Sequence, residues 1–354
     1  MDHIENALLQ NIYEQPLELK KVLDDLCGPK LEKVFLISNL MRIADEIVLT
    51  SMGSAFYSMM PMYEALCEIG GHRVTLVETA TLLQHTKNLN KNALYIMMSR
   101  SGESREVADF SKYLKENDFL SVGITMTPTS TVGRNCTYML HDIASYDKIV
   151  CIKAYSSMAL CGLFCVSMMD RTKPDPELLN NLYATFDWME EHKTSILEQM
   201  RQIPFMGKAN NFYLLSRGYG LNMMRSCSLW MEETAKIPAN VMSIDNFYHG
   251  SMEIIRSHAI VKSVTIPVFL DTLSDSRSNM IWEKVNKFVP ETLYFGPEGS
   301  DVTGGIRVLY PDFGISSGYM FLVLALYFQL LVYQCAADNG IEPGMFFDEG
   351  WIVT

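Results

Sequence analysis

Short β-type runs alternate with helical stretches along most of the chain. Ile47–Thr50, Val74–Val77, Ala93–Met98, Leu120–Thr125 and Tyr138–Leu140 read as strands. Helices are predicted from about Ala55, from about Ser104 and over Ala154–Met169. In the helix after Met98, Val107, Phe110, Ser111 and Leu114 share one face, while Arg105, Glu106, Asp109 and Lys112 lie away from it. The chain opens on a further helix, with Ile4, Leu8 and Ile12 four apart, which Pro16 is expected to break or restart. Such alternation predicts an α/β fold with a mainly parallel sheet covered by helices on both faces.

The order then repeats. Arg171–Pro176, with two prolines and three charged residues, has the composition of a surface connection. Helical stretches around Leu178–Met200 follow, then β-type runs at Phe212–Ser216, Val264–Leu270 and Glu291–Phe295, with a helix through Ser278–Phe288. IVLTSMGSAFYS at 47–58 and FYLLSRGYGLNM at 212–223 are both a strand, a polar turn with glycine, and a helix start, as a duplicated α/β unit would give. The expected organisation is an N-terminal helical arm over 1–25, a first three-layer αβα domain over 26–175, a second over 176–340 and a tail over 341–354.

Tyr319–Tyr333 is apolar enough to raise the question of a membrane span, but at about 20 residues needed it is too short, and Gln329 interrupts it. A helix buried on all sides fits better. The N-terminus has acidic residues and no continuous apolar core, so neither a secretory signal nor a transit peptide is read there and a cytoplasmic location is expected.

Composition narrows the chemistry. Of 354 residues, 48% are hydrophobic and 20% charged, which suits a packed globular protein. A formal net charge of −12 without a basic cluster argues against nucleic acid and anionic membranes, though a small phosphate can still be held by local N–H groups. The eight cysteines form no CxxC pair and no zinc-spaced cluster, so no metal is expected. No Walker pattern or GxGxxG turn is present, and neither a nucleotide nor another cofactor is implied.

The first informative motif is Ser99-Arg100-Ser101-Gly102-Glu103-Ser104, between a strand and a helix start. Small hydroxyl residues there offer unpaired N–H groups, helix-dipole charge and hydroxyl donors to one anion, which a phosphate monoester requires. The competing reading is that Ser101 or Ser104 simply caps the helix. Ser51-Met52-Gly53-Ser54-Ala55 is a second such turn, and in a doubly wound sheet both loops could line one crevice.

These two turns, with the opening Ile12-Tyr13-Glu14-Gln15-Pro16, resemble the isomerase half of glucosamine-6-phosphate synthase and related proteins with two sugar-isomerase (SIS) domains. The resemblance implies a phosphosugar enzyme without cofactor, binding the sugar phosphate through Ser99, Ser101 and Ser104 with Ser54, and with Gly53, Arg100 and Gly102 in the same loops. Arg100 stands where the family has Gln, and Ala55 where the synthase has a second hydroxyl. In the second half, Trp230-Met231-Glu232-Glu233-Thr234 and Asn246-Phe247-Tyr248-His249-Gly250 resemble the family's catalytic segments, with Glu233 and His249 sixteen residues apart. Glu233 is then the implied base for a carbon-bound proton, and His249 the group that opens the ring and shuttles protons.

The synthase's lysine one turn before the catalytic Glu is replaced by Trp230, and the tail has no lysine. The first cysteine is Cys27, so no counterpart of the glutamine-hydrolysing half is expected. That pattern resembles the deglycase branch, which implies hydrolysis of a 6-phosphorylated fructosamine to hexose 6-phosphate and free amine. The alternatives are an isomerase or deaminase of amino-sugar 6-phosphates, and a non-catalytic sugar-phosphate sensor. The family also implies a homodimer.

Overall fold

The computed structural model describes residues 6–147, 150–256, 264–272 and 276–346. The expected arm and tail therefore lie partly outside the described residues, at 1–5 and 347–354. The helices are α1 (Ala7–Cys27), α2 (Leu31–Ile43), α3 (Gly53–Ser58), α4 (Met60–Ile69), α5 (Thr79–Gln84), α6 (Arg105–Glu116), α7 (Thr131–Asn135), α8 (Lys153–Ser167), α9 (Pro176–Arg201), α10 (Tyr219–Trp230), α11 (Ile244–Asn246), α12 (Glu253–Arg256), α13 (Ser276–Phe288) and α14 (Ser317–Asp338). The strands are β1 (Glu46–Ser51), β2 (Arg73–Glu78), β3 (Leu94–Ser99), β4 (Ser121–Thr125), β5 (Tyr138–His141), β6 (Asn211–Ser216), β7 (Ala239–Ser243), β8 (Thr265–Leu270), β9 (Leu293–Pro297) and β10 (Ile306–Tyr310).

Two compact units result, a first formed by residues 11–190, 315–323 and 346–354, and a second by 1–10, 191–314 and 324–345. The first contains a five-stranded parallel sheet in the order β2-β1-β3-β4-β5. The second sheet, also parallel, runs β10-β9-β8-β6-β7. Counted from each unit's first strand, both read 2-1-3-4-5, so the α/β architecture and its repetition are as the sequence indicates. One hydrogen bond repeats as well. Ser51 Oγ at the end of β1 donates to the Met98 carbonyl of β3 at 2.5 Å, and Ser216 Oγ at the end of β6 donates to the Leu270 carbonyl of β8 at 2.6 Å.

In the first unit the alternation of β-strand side chains sorts the core into two layers. Val48, Tyr95 and Met97 pack with Val107, Phe110 and Leu114 of α6 on one face. Every residue of α8 from Lys153 to Val166 is buried, and Gly162 comes so close to the sheet that a Cβ there would lie 2.8 Å from Met98 Cε. The edge strand β2 alternates exposed and half-buried positions, as a strand covered on one face must.

Pro16 neither breaks nor restarts α1, which runs through it as one helix. Proline forfeits a ladder hydrogen bond, but Ile12, Leu19, Val22, Leu23 and Leu26 are buried on both sides of it, and that packing overrides the local cost. The apolar segment at 319–333 belongs to α14, the one described helix long and apolar enough to cross a membrane; 89% of its apolar window is buried.

Asp142, just past β5, is buried and accepts hydrogen bonds from Ser157 Oγ at 2.5 Å and the Ala144 N–H at 3.0 Å. Burial pushes its carboxyl up to about 6, opposed by the Ser157 and Ala144 hydrogen bonds and by Lys30, and reinforced by Glu18. A carboxyl raised in the fold binds more protons folded than unfolded, so its contribution is intact below about pH 4 and is lost as pH rises to about 6. Asp142→Asn is therefore expected to gain stability relative to wild type between pH 5 and pH 8, by up to about 3 kcal/mol. Thermal melts of both proteins across that range check the sign.

Candidate functional site

The first unit's β1 and β3 are paired, Thr50 opposite Met97, so their following loops emerge side by side where the strand order reverses, the usual ligand position in open α/β sheets. Within the β3 loop, Gly102 at φ 67 turns the chain back, and its N–H donates to Ser99 Oγ at 3.0 Å. The Ser99 and Ser104 hydroxyls lie 3.4 Å apart, and Ser101 Oγ accepts the Glu103 N–H at 3.1 Å. The loop is fastened from below, Thr125 Oγ1 donating to the Arg100 carbonyl at 3.4 Å and the Val132 N–H to the Gly102 carbonyl at 3.1 Å.

Ser104 occupies the N-cap position of α6 but its side chain makes no capping hydrogen bond. The capping alternative read from the sequence is therefore not what this serine does. The first-turn N–H groups of α6 are left without a side-chain cap, and the Ser99 and Ser104 hydroxyls lie together at that end of the helix. On the β1 loop, the Ser54 hydroxyl is buried and has no hydrogen-bond partner, which costs about 1–3 kcal/mol unless a ligand supplies one. Gly53 has φ 55 and is exposed; a Cβ there would meet nothing within 4 Å.

Arg100 reaches outward from the hydroxyl cluster. Its Nη1 donates to the Asp147 carbonyl at 2.9 Å, and its guanidinium lies 4.9 Å from the centre of the Tyr146 ring. Asp147 is buried, its Oδ2 taking the Ile152 and Ala154 N–H groups at 3.0 and 2.9 Å at the start of α8, while Oδ1 has no partner. Burial pushes this carboxyl up to about 6. The opening motif serves the same region: Glu14 pairs with Lys153 at 2.6 Å and Gln15 accepts from Ser156, while Glu18, just beyond the motif, accepts the Ser145 N–H at 2.7 Å. Sequence reading had noticed the motif without assigning these contacts, which join residues more than a hundred positions apart.

The second unit carries the other sequence-derived candidates. Glu233 lies on a π-helical turn, Met231–Ala235, that continues α10; such turns recur at functional positions. The structure separates the two adjacent acids, Glu232 being exposed and Glu233 half-buried. His249 lies on a second π-helical turn, Phe247–Ser251, and is exposed. Phe247 anchors that turn, fully buried and 5.4 Å from the Tyr213 ring, while Lys284 donates to Tyr248 Oη at 2.6 Å.

Just before it, Asp245 receives Arg217 Nε at 2.8 Å and Nη2 at 2.6 Å, and Arg277 Nε at 2.8 Å. The Arg217 hydrogen bonds hold its carboxyl below the usual range, helped by Arg277. This triad fixes the His249 segment to the end of β6. It went unread because its members are 28 or more residues apart.

Residues 41–167 match the SIS domain family. The match covers the first unit's sheet from β1 to β5, and the fold along nearly the whole length of the chain is shared with the solved structures named below. The glutamine–fructose-6-phosphate aminotransferase (isomerizing) of Shouchella clausii is 21% identical over 345 residues, covering 95% of this chain and 56% of its own length. The C-terminal domain of the glucosamine-fructose-6-phosphate aminotransferase from Francisella tularensis superposes with a TM-score of 0.79 at 15% identity, over 96% of this chain and 97% of that one. Glucosamine-6-phosphate deaminase from Thermotoga maritima gives 0.77 at 19% identity, over 96% and 97%. The chain spans about half the length of the curated relatives it matches.

Proposed function

We propose that this chain is a phosphosugar enzyme that hydrolyses a 6-phosphorylated fructosamine to a hexose 6-phosphate and a free amine. The observation that carries the sugar-phosphate part is the uncapped start of α6 beside Ser99, Ser101 and Ser104, with the buried, unpartnered Ser54 hydroxyl on the adjoining loop. A phosphate monoester supplies acceptors for all of these donors. Arg100 adds a positive charge to the loop while bracing the segment at 146–147.

Proton transfer is assigned to Glu233, whose half-buried position suits a base better than that of the exposed Glu232. It takes the C1 proton of the open-chain ketosamine, giving an enaminol; protonation at C2 gives an imine, and water releases amine and hexose 6-phosphate. His249 opens the ring and moves oxygen-bound protons. Its exposure suits a group that completes the site of a second copy, and a homodimer is part of this reading.

The structural likeness to glucosamine-6-phosphate deaminase supports amino-sugar deamination or isomerisation as the second reading. A panel of fructosamine, glucosylamine and glucosamine 6-phosphates, with fructose 6-phosphate, separates them by product. Release of glucose 6-phosphate and amine from a fructosamine 6-phosphate supports deglycation; ammonia from glucosamine 6-phosphate supports the second reading. Binding without turnover of any member would leave a sensor. Ser54→Ala is expected to weaken glucose 6-phosphate binding about 10- to 100-fold, the worth of one hydrogen bond to a charged group, read by calorimetry.

A further inference from the structure

The turn bearing Glu233 ends in an uncommon backbone conformation. Lys236, which closes the π-helical turn, has φ 57 and ψ 28, in the left-handed region. Among the described residues Asp118 is the other non-glycine with positive φ, and aspartate tolerates that region better than lysine does. A lysine persists there only when its surroundings hold it.

The contacts that hold it are specific. The Lys236 ammonium donates to the backbone carbonyl of Glu233, three residues back, and to the carbonyl of Met345 at 2.7 Å, 109 positions further along the chain. The side chain therefore folds back over its own turn and grips the C-terminal segment. That segment is fastened on its other side too. Asn6 Nδ2 donates to the Pro343 carbonyl at 3.0 Å, and Gly344, at φ 84, lies so close to α1 that a Cβ would come 3.1 Å from Leu8 Cβ. All of these residues belong to the second unit.

We propose that Lys236 is a positioning residue whose ammonium ties the Glu233 carbonyl to the Met345 carbonyl, so that docking of the C-terminal segment sets the direction of the Glu233 carboxylate. The proposal rests on the reading of Glu233 as the base. The physical link is the helical phase. A π-turn holds one more residue than an α-turn, so relaxing it rotates the side chains around the axis by about the 100° that one residue occupies. Releasing Met345 removes an acceptor that helps offset the left-handed conformation, and so weakens what keeps the turn wound in the π form.

The sequence shows no sign of this tether, because the Glu233 and Met345 groups that the ammonium donates to are backbone carbonyls and carry no side-chain signature. It also differs in kind from the lysines that the synthase pattern would place before the Glu and in the tail, since Lys236 follows the Glu by three positions and reaches the tail from outside it.

The test uses the full chain and hydrogen exchange, which needs no substrate. In Lys236→Met, amide exchange in peptides covering 230–236 and 340–346 is expected to quicken about tenfold or more, the loss of a charge-assisted hydrogen bond, while β6 and β8 peptides are unchanged. Lys236→Arg is expected to restore much of the protection. On whichever panel sugar phosphate turns over, Lys236→Met is expected to lower kcat about 10- to 100-fold with KM within about threefold. In a Gly344→Val background, which unseats the segment, Lys236→Met should cost little more. Unchanged tail exchange in Lys236→Met, or full additivity with Gly344→Val, overturns the tether. Undiminished turnover in Glu233→Gln would instead overturn the base, and the exchange result would stand apart from it.

Discussion

Glu233→Gln is expected to lower kcat by 10²- to 10⁴-fold, roughly what removal of a general base costs. Glutamine keeps the size and much of the hydrogen bonding of the side chain but cannot accept a carbon-bound proton. Because the phosphate contacts are assigned to Ser54, Ser99, Ser101 and Ser104, binding of glucose 6-phosphate should stay within about twofold of wild type, one pocket contact being altered rather than removed. The neighbouring Glu232→Gln is the internal control. Glu232 is exposed where Glu233 is half-buried, so its neutralisation should leave turnover within about twofold, the usual range for surface changes. Initial rates of the three proteins on one substrate, with calorimetric binding of glucose 6-phosphate, decide the matter. Equal losses in both variants would mean that the turn, and not one carboxylate, is what the reaction needs.

Gly102→Ala is expected to have the second large effect, on the proposed phosphate loop and on stability together. A Cβ at this position would lie 1.9 Å from Ser130 Oγ and 2.5 Å from Ser130 Cβ, and φ 67 is in any case costly for an L side chain. The loop must shift or the fold must absorb the strain, at about 2–4 kcal/mol for strain and overpacking combined. Glucose 6-phosphate affinity is expected to fall at least tenfold, since the Gly102 N–H and Ser99 Oγ that shape the loop move together. Gly53→Ala provides the contrast: its φ of 55 is also left-handed, but a Cβ would meet nothing within 4 Å, so about 1 kcal/mol is expected. Adding Ser130→Gly to Gly102→Ala should recover part of the loss by removing the clash, though it also removes the Ser130 cap on the Gly133 N–H. Chemical denaturation and calorimetry on these three variants and wild type separate strain from collision.

The two α/β units were legible because strand and helix periods depend on near neighbours in the chain. The α6 face of Val107, Phe110, Ser111 and Leu114 is buried as its spacing indicates, and Arg105, Asp109 and Lys112 are exposed. Two strands escaped that reading. In β7, Ala239–Ser243, only the first residue is fully buried, and in β10, Ile306–Tyr310, only Val308 and Tyr310 are. Both are edge strands, where one-sided burial over a short run leaves a weak apolar signal. Pro16 misled in the other direction, because propensity weighs a local hydrogen bond and knows nothing of the apolar residues buried around it.

The candidate site divides in the same way. Ser99, Ser101, Gly102 and Ser104 stand within six consecutive residues between a strand and a helix, so local chemistry offers them as a candidate anion loop beside the plainer reading of a helix cap. Glu233 and His249 were reached through resemblance rather than from any property of an isolated acid or histidine. What the sequence by itself determined is the alternation of strand and helix, its repetition, and the short turns whose side chains act on their own backbone. Only the tertiary structure decided that Arg100 braces Asp147, that Arg217 and Arg277 hold Asp245 beneath the His249 turn, and that Lys236 joins the Glu233 turn to Met345. Those contacts are between groups far apart in the chain, several of them backbone carbonyls that every residue possesses, and only folding selects which of them meet.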